Sequence, residues 1–271
     1  MANDKDKSTI WEGFESEFFG NQGGESLSET APSAAVRSTI AENRQILNIL
    51  FVIDVSGSMR GPRIAQVNYA LENIFKELRR RDDVNSVIKI AVMEFSDEAN
   101  WRTNLPVPLE DYVFTQIVAQ PWVTNYAKAF DRLNEKLRKE QFMNPAMGEY
   151  FAPLILFITD GEPVDGAAYP AALQRLHKNG WFQKSAKYAI AVGEEARSEE
   201  VGRLLSQFTG IRENVRYADE GEALVSLIEF IAIRASEVQT SLLSTGSSVS
   251  QSSSIFSDTD PSLFSSLFQD Q

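Results

Sequence analysis

A carboxylate and two hydroxyls stand at alternate positions in the stretch Asp54-Val55-Ser56-Gly57-Ser58-Met59. In an extended chain, alternate side chains point the same way, so Asp54, Ser56 and Ser58 would share one side of a loop. Hard oxygen ligands on one side of a loop suit a hard cation such as Mg²⁺. Asp and Ser are also common in turns, so these three residues alone leave a turn-shaping role equally open.

The surroundings of this loop favour the cation. An apolar run from Ile46 to Ile53, broken only by Asn48, comes before it, and a helical pattern from about 63 to 80 follows it. Near-continuous apolar composition predicts a strand buried on both faces, as in a parallel sheet. The three oxygen-bearing side chains therefore lie at the carboxyl end of a strand, between that strand and a helix.

The alternation of strands and helices continues to about residue 235. Further strands are predicted at 87–95, 100–102, 112–118, 154–158, 187–192 and 215–217, and further helices at about 124–137, 167–178, 199–208 and 222–234. This order predicts an α/β fold with a doubly wound (Rossmann-like), mostly parallel sheet and helices on both faces. In such sheets, ligands bind beyond the carboxyl ends of the strands.

Two more oxygen-bearing side chains are predicted at that edge. Asp160 closes the strand at 154–158 in the way that Asp54 closes the first strand, and Thr124 begins a helix after a proline-rich loop. The alternative role for Thr124 is that of a helix N-cap. Octahedral Mg²⁺ binds six oxygens and readily keeps waters. Three hydroxyls and two carboxylates, some acting through water, would leave room for one outside oxygen.

These residues resemble a known family. Asp-x-Ser-x-Ser, a distant Thr and a later Thr-Asp-Gly are similar to the metal-ion-dependent adhesion site of the von Willebrand factor type A domain, over roughly residues 44 to 235. A bacterial cytosolic branch associated with tellurium resistance is similar in two longer runs, which are Val-Ile-Asp-Val-Ser-Gly-Ser-Met-Arg-Gly-Pro-Arg-Ile and Ile-Thr-Asp-Gly-Glu-Pro.

The resemblance implies a six-stranded sheet with one antiparallel edge strand, in agreement with a hairpin at 100–102. It implies metal ligands from three loops, with Asp54, Ser56 and Ser58 in the first, Thr124 in the second and Asp160 in the third. It also implies that a Glu or Asp of a partner protein fills the open metal position. The domain would then be a binding module without catalytic turnover.

Composition excludes some kinds of chemistry and disfavours some kinds of partner. The chain has a net charge of −12 and no cysteine, which excludes disulfides, thiolate metal sites and thiol catalysis. An acidic chain without a basic stripe is a poor binder of nucleic acids and of anionic membranes. No secretory signal follows Met1 and no apolar run approaches 18 residues, so we expect a cytoplasmic protein without a membrane span.

The composition changes at both ends of the predicted domain, 36–235. Residues 1–35 form an acidic leader and residues 236–271 a serine-rich acidic tail, and both are predicted to be disordered. Each contains an apolar motif at helical spacing, with Trp11, Phe14 and Phe18 in the leader and Leu263, Phe264, Leu267 and Phe268 in the tail. Either motif would pack on its own domain or bind a partner.

The predicted function is that of a metal-dependent protein-binding module. It would present Mg²⁺, with Mn²⁺ or Ca²⁺ as alternatives, to an acidic residue of a partner, as an adaptor or assembly subunit in a bacterial stress or defence system. One rival is a Mg²⁺-dependent phosphatase-like enzyme using Asp54, although Ser56 stands where that chemistry usually has a second acid. The other rival is a metal-free scaffold.

Overall fold

The computed structural model describes residues 44–80 and 86–218, together with Val225, Ser226, Ile228 and Ala232. The leader, the tail and their apolar motifs lie outside the described residues, as does the predicted helix at 222–234 apart from those four positions. The boundaries 1–35, 36–235 and 236–271 therefore stay predictions. Within the described part, no helix combines the length and apolar character needed to cross a membrane.

Strands and helices alternate along the described chain. The strands are β1 (Gln45–Asp54), β2 (Ser86–Phe95), β3 (Ala99–Trp101), β4 (Val107–Pro108), β5 (Leu154–Thr159), β6 (Ala186–Val192) and β7 (Val215–Ala218). The helices are α1 (Pro62–Arg80), α2 (Tyr126–Lys136), α3 (Ala168–His177), α4 (Gly180–Lys184) and α5 (Glu199–Thr209).

The sheet is mostly parallel, with the strand order β3-β2-β1-β5-β6-β7. Strands β2, β1, β5, β6 and β7 run parallel to one another, while β3 and β4 both pair with β2 in the antiparallel sense. This confirms the predicted α/β fold. The described residues form seven strands rather than six, because the two-residue β4 also pairs with β2.

The strand predicted at 112–118 is wrong. This segment is an irregular loop in which Tyr112 and Ile117 are buried whereas Val113 is 80% exposed. Side chains satisfy part of its backbone, since Asn68 accepts from Ile117 N at 2.7 Å and donates to Ile117 O at 2.8 Å. Tyr112 and Ile117 are five positions apart and would lie on opposite faces of a strand, yet both pack in the same apolar cluster as α1, so the segment follows a loop.

Two apolar layers hold the sheet. On one face, Leu47, Ile49, Phe51 and Ile53 of β1 pack in a cluster with the buried side of α1. On the other face, Leu50 and Val52 belong to a cluster with α2, α3 and α5. Helices therefore cover both faces, as predicted, and β1 is buried over nearly its whole length.

An aromatic group centred on Phe157 of β5 stiffens the second layer. The Phe157 ring lies 5.0 Å from that of Phe208, 5.1 Å from that of Phe95 and 5.2 Å from that of Tyr126. These contacts join β5 to α5, β2 and α2 respectively. Rings at such separations add stabilisation beyond their buried area. The packing therefore fixes the strand ends on which the candidate site is built.

Candidate metal centre

The pairing of β1 with β5 places the first two acidic loops side by side. Ile53 is opposite Ile158 in this parallel pair, so both strands end at the same edge of the sheet. Asp54, which is fully buried, accepts a hydrogen bond at Oδ2 from Thr159 Oγ1 at 2.7 Å. Its Oδ1 accepts from the backbone N–H of Ser56 at 2.8 Å. The carboxylate is therefore held in one orientation by two loops.

A chain of hydroxyls links the first loop to Asp160. Ser56 Oγ and Ser58 Oγ lie 3.1 Å apart, and Ser58 Oγ donates to Asp160 Oδ1 at 2.9 Å. The loop is not extended throughout, because Gly57–Met59 forms one turn of 3₁₀ helix after the extended Ser56. The two serine hydroxyls nevertheless meet on one side. The structure thus brings four of the five predicted side chains into one hydrogen-bonded group.

The buried negative charge of this group would be stabilised by a nearby cation. Burial raises the pKa of the Asp54 carboxyl from its ordinary 3.8 to about 6, with hydrogen bonds from Thr159 and Ser56 opposing the shift and the negative Asp160 adding to it. A buried carboxylate beside another is disfavoured in its charged form unless positive charge is near. An ion between the two loops would supply that charge.

Arg63, at the start of α1, supplies part of the positive charge. Its Nη1 donates to Asp160 Oδ2 at 2.9 Å, and its Nη2 donates to Glu195 Oε2 at 2.7 Å. Burial opposes its charge, but the hydrogen bonds to Asp160 and Glu195 outweigh it and raise the pKa of Arg63 above the ordinary value. Asp160 is therefore bonded at both oxygens, by Ser58 on one side and by Arg63 on the other.

Thr124 lies in a loop that backbone hydrogen bonds fasten to the same edge. Gly57 N donates to Trp122 O at 2.9 Å, and Val164 N donates to Thr124 O at 2.9 Å. Thr124 is buried, but among the described residues its hydroxyl is outside the chain that joins the other four side chains. The alternative N-cap role is wrong, because α2 begins at Tyr126 and the side chain of Asn125 caps it by accepting from Lys128 N.

The donor set fits a hard cation bound partly through hydroxyls. Within residues 44–80 and 86–218, no three His, Cys, Asp or Glu side chains gather as a metal site built from those residues alone would require. Hydroxyl oxygens would have to complete the shell, as they do for hard cations. Each carboxylate oxygen of Asp54 and Asp160 accepts a hydrogen bond and keeps a further lone pair, so each carboxylate can still bind an ion through one oxygen.

Sequence reasoning missed Thr159 and Arg63. Thr159 could have been found from the first-strand pattern, because a β1–β5 pairing puts the residue before Asp160 opposite Asp54. The periodicity of each strand does not show which strands pair in the sheet, however. Arg63 contacts a glutamate 132 positions away, and no local pattern indicates such a pair.

Comparisons with known proteins concern the family and the fold. Residues 49–162, from β1 to just past Asp160, match the family model of the von Willebrand factor type A domain. The chain is similar to inter-alpha-trypsin inhibitor heavy chain H6 of Homo sapiens, at 28% identity over 188 residues, which is 65% of this chain and 14% of that protein. The chain thus spans a small part of that relative's length.

Two solved structures share the fold. The pilus adhesin SpaC from Lactobacillus rhamnosus GG has a TM-score of 0.54 at 12% identity, covering 72% of this chain and 30% of that one. Proximal thread matrix protein 1 from the mussel byssus, in a form with a zinc-occupied MIDAS motif, has a TM-score of 0.52 at 18% identity, covering 71% and 46%. At these identities the likeness concerns the fold alone.

Residues 49–162 are thus similar to the von Willebrand factor type A domain, and the described part of the chain shares its fold with the two solved structures. Domains of this class are metal-dependent protein-interaction modules. The likeness to the tellurium-resistance branch stays a prediction.

Proposed function

We propose that this domain binds a divalent cation at the carboxyl edge of its sheet and presents it to a Glu or Asp of a partner protein. The cation is Mg²⁺, with Mn²⁺ and Ca²⁺ as alternatives. The observation that carries the proposal is the link between two buried carboxylates, in which Asp54 accepts from the backbone N–H of Ser56 and the hydroxyls of Ser56 and Ser58 lead on to Asp160. Thr124, fastened beside them by its backbone, would complete the set.

The metal would contribute a positive charge that draws a carboxylate to an exposed edge. Ser58 is exposed, whereas Asp54 and Ser56 are buried beneath it. An incoming acid would therefore approach from the side of Ser58. The residues of this chain hold the ion and leave the replacement of one water to the partner, because Mg²⁺ keeps waters when protein ligands are few.

The phosphatase-like alternative is disfavoured by the setting of Asp54. A nucleophilic carboxylate must reach the phosphorus of a substrate, but Asp54 has no exposed surface and both its oxygens accept hydrogen bonds. The test is Mg²⁺-dependent phosphate release from generic phosphate esters. Turnover that disappears in Asp54→Asn would replace the binding module with an enzyme.

The metal-free scaffold has one observation in its favour. The bond from Ser56 N to Asp54 Oδ1 shapes the turn whether or not an ion is present. A scaffold could pair Asp160 with Arg63, but it would have no reason to bury the carboxylate of Asp54 beside Asp160, where burial and the neighbouring negative charge both disfavour the charged form. The metal titration described next separates the two hypotheses.

The first experiment measures the thermal midpoint of the full chain against MgCl₂, MnCl₂ and CaCl₂ at constant ionic strength. An ion that binds only the native state stabilises it by RT ln(1 + [L]/Kd), so about 3 kcal/mol is expected at a hundredfold excess over Kd. Asp160→Asn should lose this gain. Arg175→Gln, which removes an exposed partner of Asp131, is the matched control and should keep it.

The partner and its setting are proposed from the resemblance. The chain would act as an adaptor or assembly subunit in a bacterial stress or defence system in the cytoplasm, with second contacts through Trp11, Phe14 and Phe18 or through the tail. The second experiment is capture of a partner with Mg²⁺ and with EDTA, repeated with Asp160→Asn. Replacement of each partner Glu and Asp by Gln and Asn should then find one acid whose loss equals the loss caused by EDTA.

A further inference from the structure

Arg63 is a cation fixed in the wall of the proposed site. Its side chain is 15% exposed, and it bridges Asp160, whose side chain is fully buried, and Glu195, whose side chain is 70% exposed. The two bonds use different guanidinium nitrogens, so the planar group is held in orientation as well as in position. A mobile surface arginine would not be fastened at both ends in this way.

The backbone at the end of β6 is shaped to receive this guanidinium. The backbone of Gly193 has φ +85°, a conformation that residues other than glycine rarely adopt. A Cβ built on Gly193 would lie 2.7 Å from Arg63 Nη2. Glycine is therefore favoured at position 193 for two reasons, because the backbone has a positive φ and because a side chain would collide with Arg63. This close approach restricts how far the guanidinium can swing away from Asp160.

The bond to Arg63 limits how Asp160 can bind a metal. Nη1 occupies Oδ2, so Oδ1, which Ser58 already contacts, is the oxygen on the side of the serine loop. Asp54 is limited similarly, because Ser56 N engages one of its oxygens and Thr159 the other. A carboxylate with a donor on each oxygen is poorly placed to chelate an ion with both oxygens at once.

We infer that Arg63 makes this site select Mg²⁺ over Ca²⁺ by preventing Asp160 from chelating the ion with both oxygens. The inference rests on the proposed function. Ca²⁺ takes six to eight oxygens and commonly uses bidentate carboxylates, whereas Mg²⁺ takes six at shorter range, keeps waters and needs one oxygen from each carboxylate. The restriction on Asp160 therefore removes a ligand that Ca²⁺ would use and Mg²⁺ would not.

The guanidinium has a second effect, which must be separated from the first. Its positive charge repels any cation, so removal of Arg63 should tighten the binding of both ions. The ratio of the two dissociation constants, Kd for Ca²⁺ over Kd for Mg²⁺, cancels this common part. The inference concerns that ratio alone.

The experiment titrates the full chain separately with MgCl₂ and CaCl₂ by calorimetry, for the parent protein and for Arg63→Met. Methionine keeps an unbranched stem but has no donor for Asp160. We expect Mg²⁺ to bind more tightly than Ca²⁺ in the parent, and we expect Arg63→Met to lower the ratio by about tenfold, the lower end of the effect of losing an outer-shell partner of a metal ligand.

Two matched variants separate the causes. Arg175→Met removes the same charge from an exposed pair with Asp131 and should leave the ratio unchanged. Glu195→Gln removes the negative charge that Arg63 meets on its exposed side but leaves the bond to Asp160, so it too should keep the parent's ratio.

The outcomes are distinct. An equal tightening of both ions in Arg63→Met would mean that charge alone acts and would overturn the inference. If Arg63→Met does not fold, the parent decides, because Ca²⁺ binding as tightly as Mg²⁺ would also overturn it. If neither ion binds the parent protein, the proposed function itself fails.

Discussion

Without metal, Asp54→Asn should be more stable than the parent protein at neutral pH. The pKa of Asp54 is raised from 3.8 to about 6, which corresponds to a penalty of about 3 kcal/mol on the charged form in the folded state. Asparagine has the same shape and no charge. Its Oδ1 can still accept from Ser56 N, which lies 2.8 Å from the present oxygen.

One rearrangement reduces the gain. The amide nitrogen of asparagine would face Thr159 Oγ1, which must then accept rather than donate and turn its own proton toward the Gly161 carbonyl oxygen, 3.5 Å away. That bond is longer than the 2.7 Å bond it replaces. We therefore expect a net gain of about 1–2 kcal/mol, or roughly 2–8 °C in Tm for a domain of this size.

The pH dependence of the stability difference tests whether the charge of Asp54 causes it. The folded pKa of Asp54 lies above its unfolded value, so between about pH 4 and pH 6 the folded state holds more protons than the unfolded state. In EDTA, the stability of the parent should fall relative to Asp54→Asn across this window and stay lower above it. At pH 4 the charge penalty is nearly gone while the cost of turning Thr159 remains, so the parent should then be the more stable protein by about 1 kcal/mol.

The assay is urea denaturation followed by circular dichroism in EDTA and in excess Mg²⁺. Saturating Mg²⁺ should reverse the order at pH 7.5, because it stabilises the parent and not the variant. A variant that is less stable than the parent in EDTA at pH 7.5 would refute the electrostatic argument. A variant that keeps the full Mg²⁺ gain would refute the place of Asp54 in the site.

Three further predictions test the supports of the site. Thr124→Ala should reduce the gain in Tm on adding Mg²⁺, with little change in stability without metal. Asn125→Ala should do the opposite. Because Asn125 is the N-cap of α2, its loss should lower the free energy of unfolding by about 1 kcal/mol and leave the Mg²⁺ gain in Tm intact. Phe157→Ala should lower the free energy of unfolding by about 3–5 kcal/mol, since its ring touches four others, and urea denaturation measures the loss. Gly193→Ala should lower Tm and change the affinity for Mg²⁺ measured by calorimetry, because its Cβ would displace the Arg63 guanidinium; an unchanged Tm would show that the loop yields.

Much of the fold could be predicted because the central strands are buried on both faces. β1 and β5 are apolar runs, of which β1 ends at Asp54 and β5 ends at Thr159 just before Asp160, and their ends differ from the prediction by one residue. The short helix α4, Gly180–Lys184, escaped because five residues do not complete two turns, so no period can be recognised. The loop at 112–118 misled because it is rich in the aromatic and β-branched residues that are common in strands.

The site could be predicted as a set of residue types but not as a set of contacts. Asp54, Ser56 and Ser58 are close in sequence, and Asp160 stands in an equivalent place on another strand. Which strand neighbours β1 depends on packing throughout the domain, so the partners of each oxygen were not foreseeable. The alternative N-cap role of Thr124 missed by one residue because the neighbouring Asn125, also a good capping residue, caps the helix.

The group around Asp54 and Asp160 closes only when distant parts of the chain meet. Asp54 and Thr159 are 105 positions apart, Ser58 and Asp160 are 102 apart, and Arg63 and Glu195 are 132 apart. During synthesis, β1 and its serine loop emerge long before β5 and β6, so a nascent chain holds the proposed ligands of the first loop without the second carboxylate. A divalent ion therefore has little to bind until the sheet is assembled. Metal would then bind only to the folded domain, and a partner that binds through the metal would recognise only folded molecules.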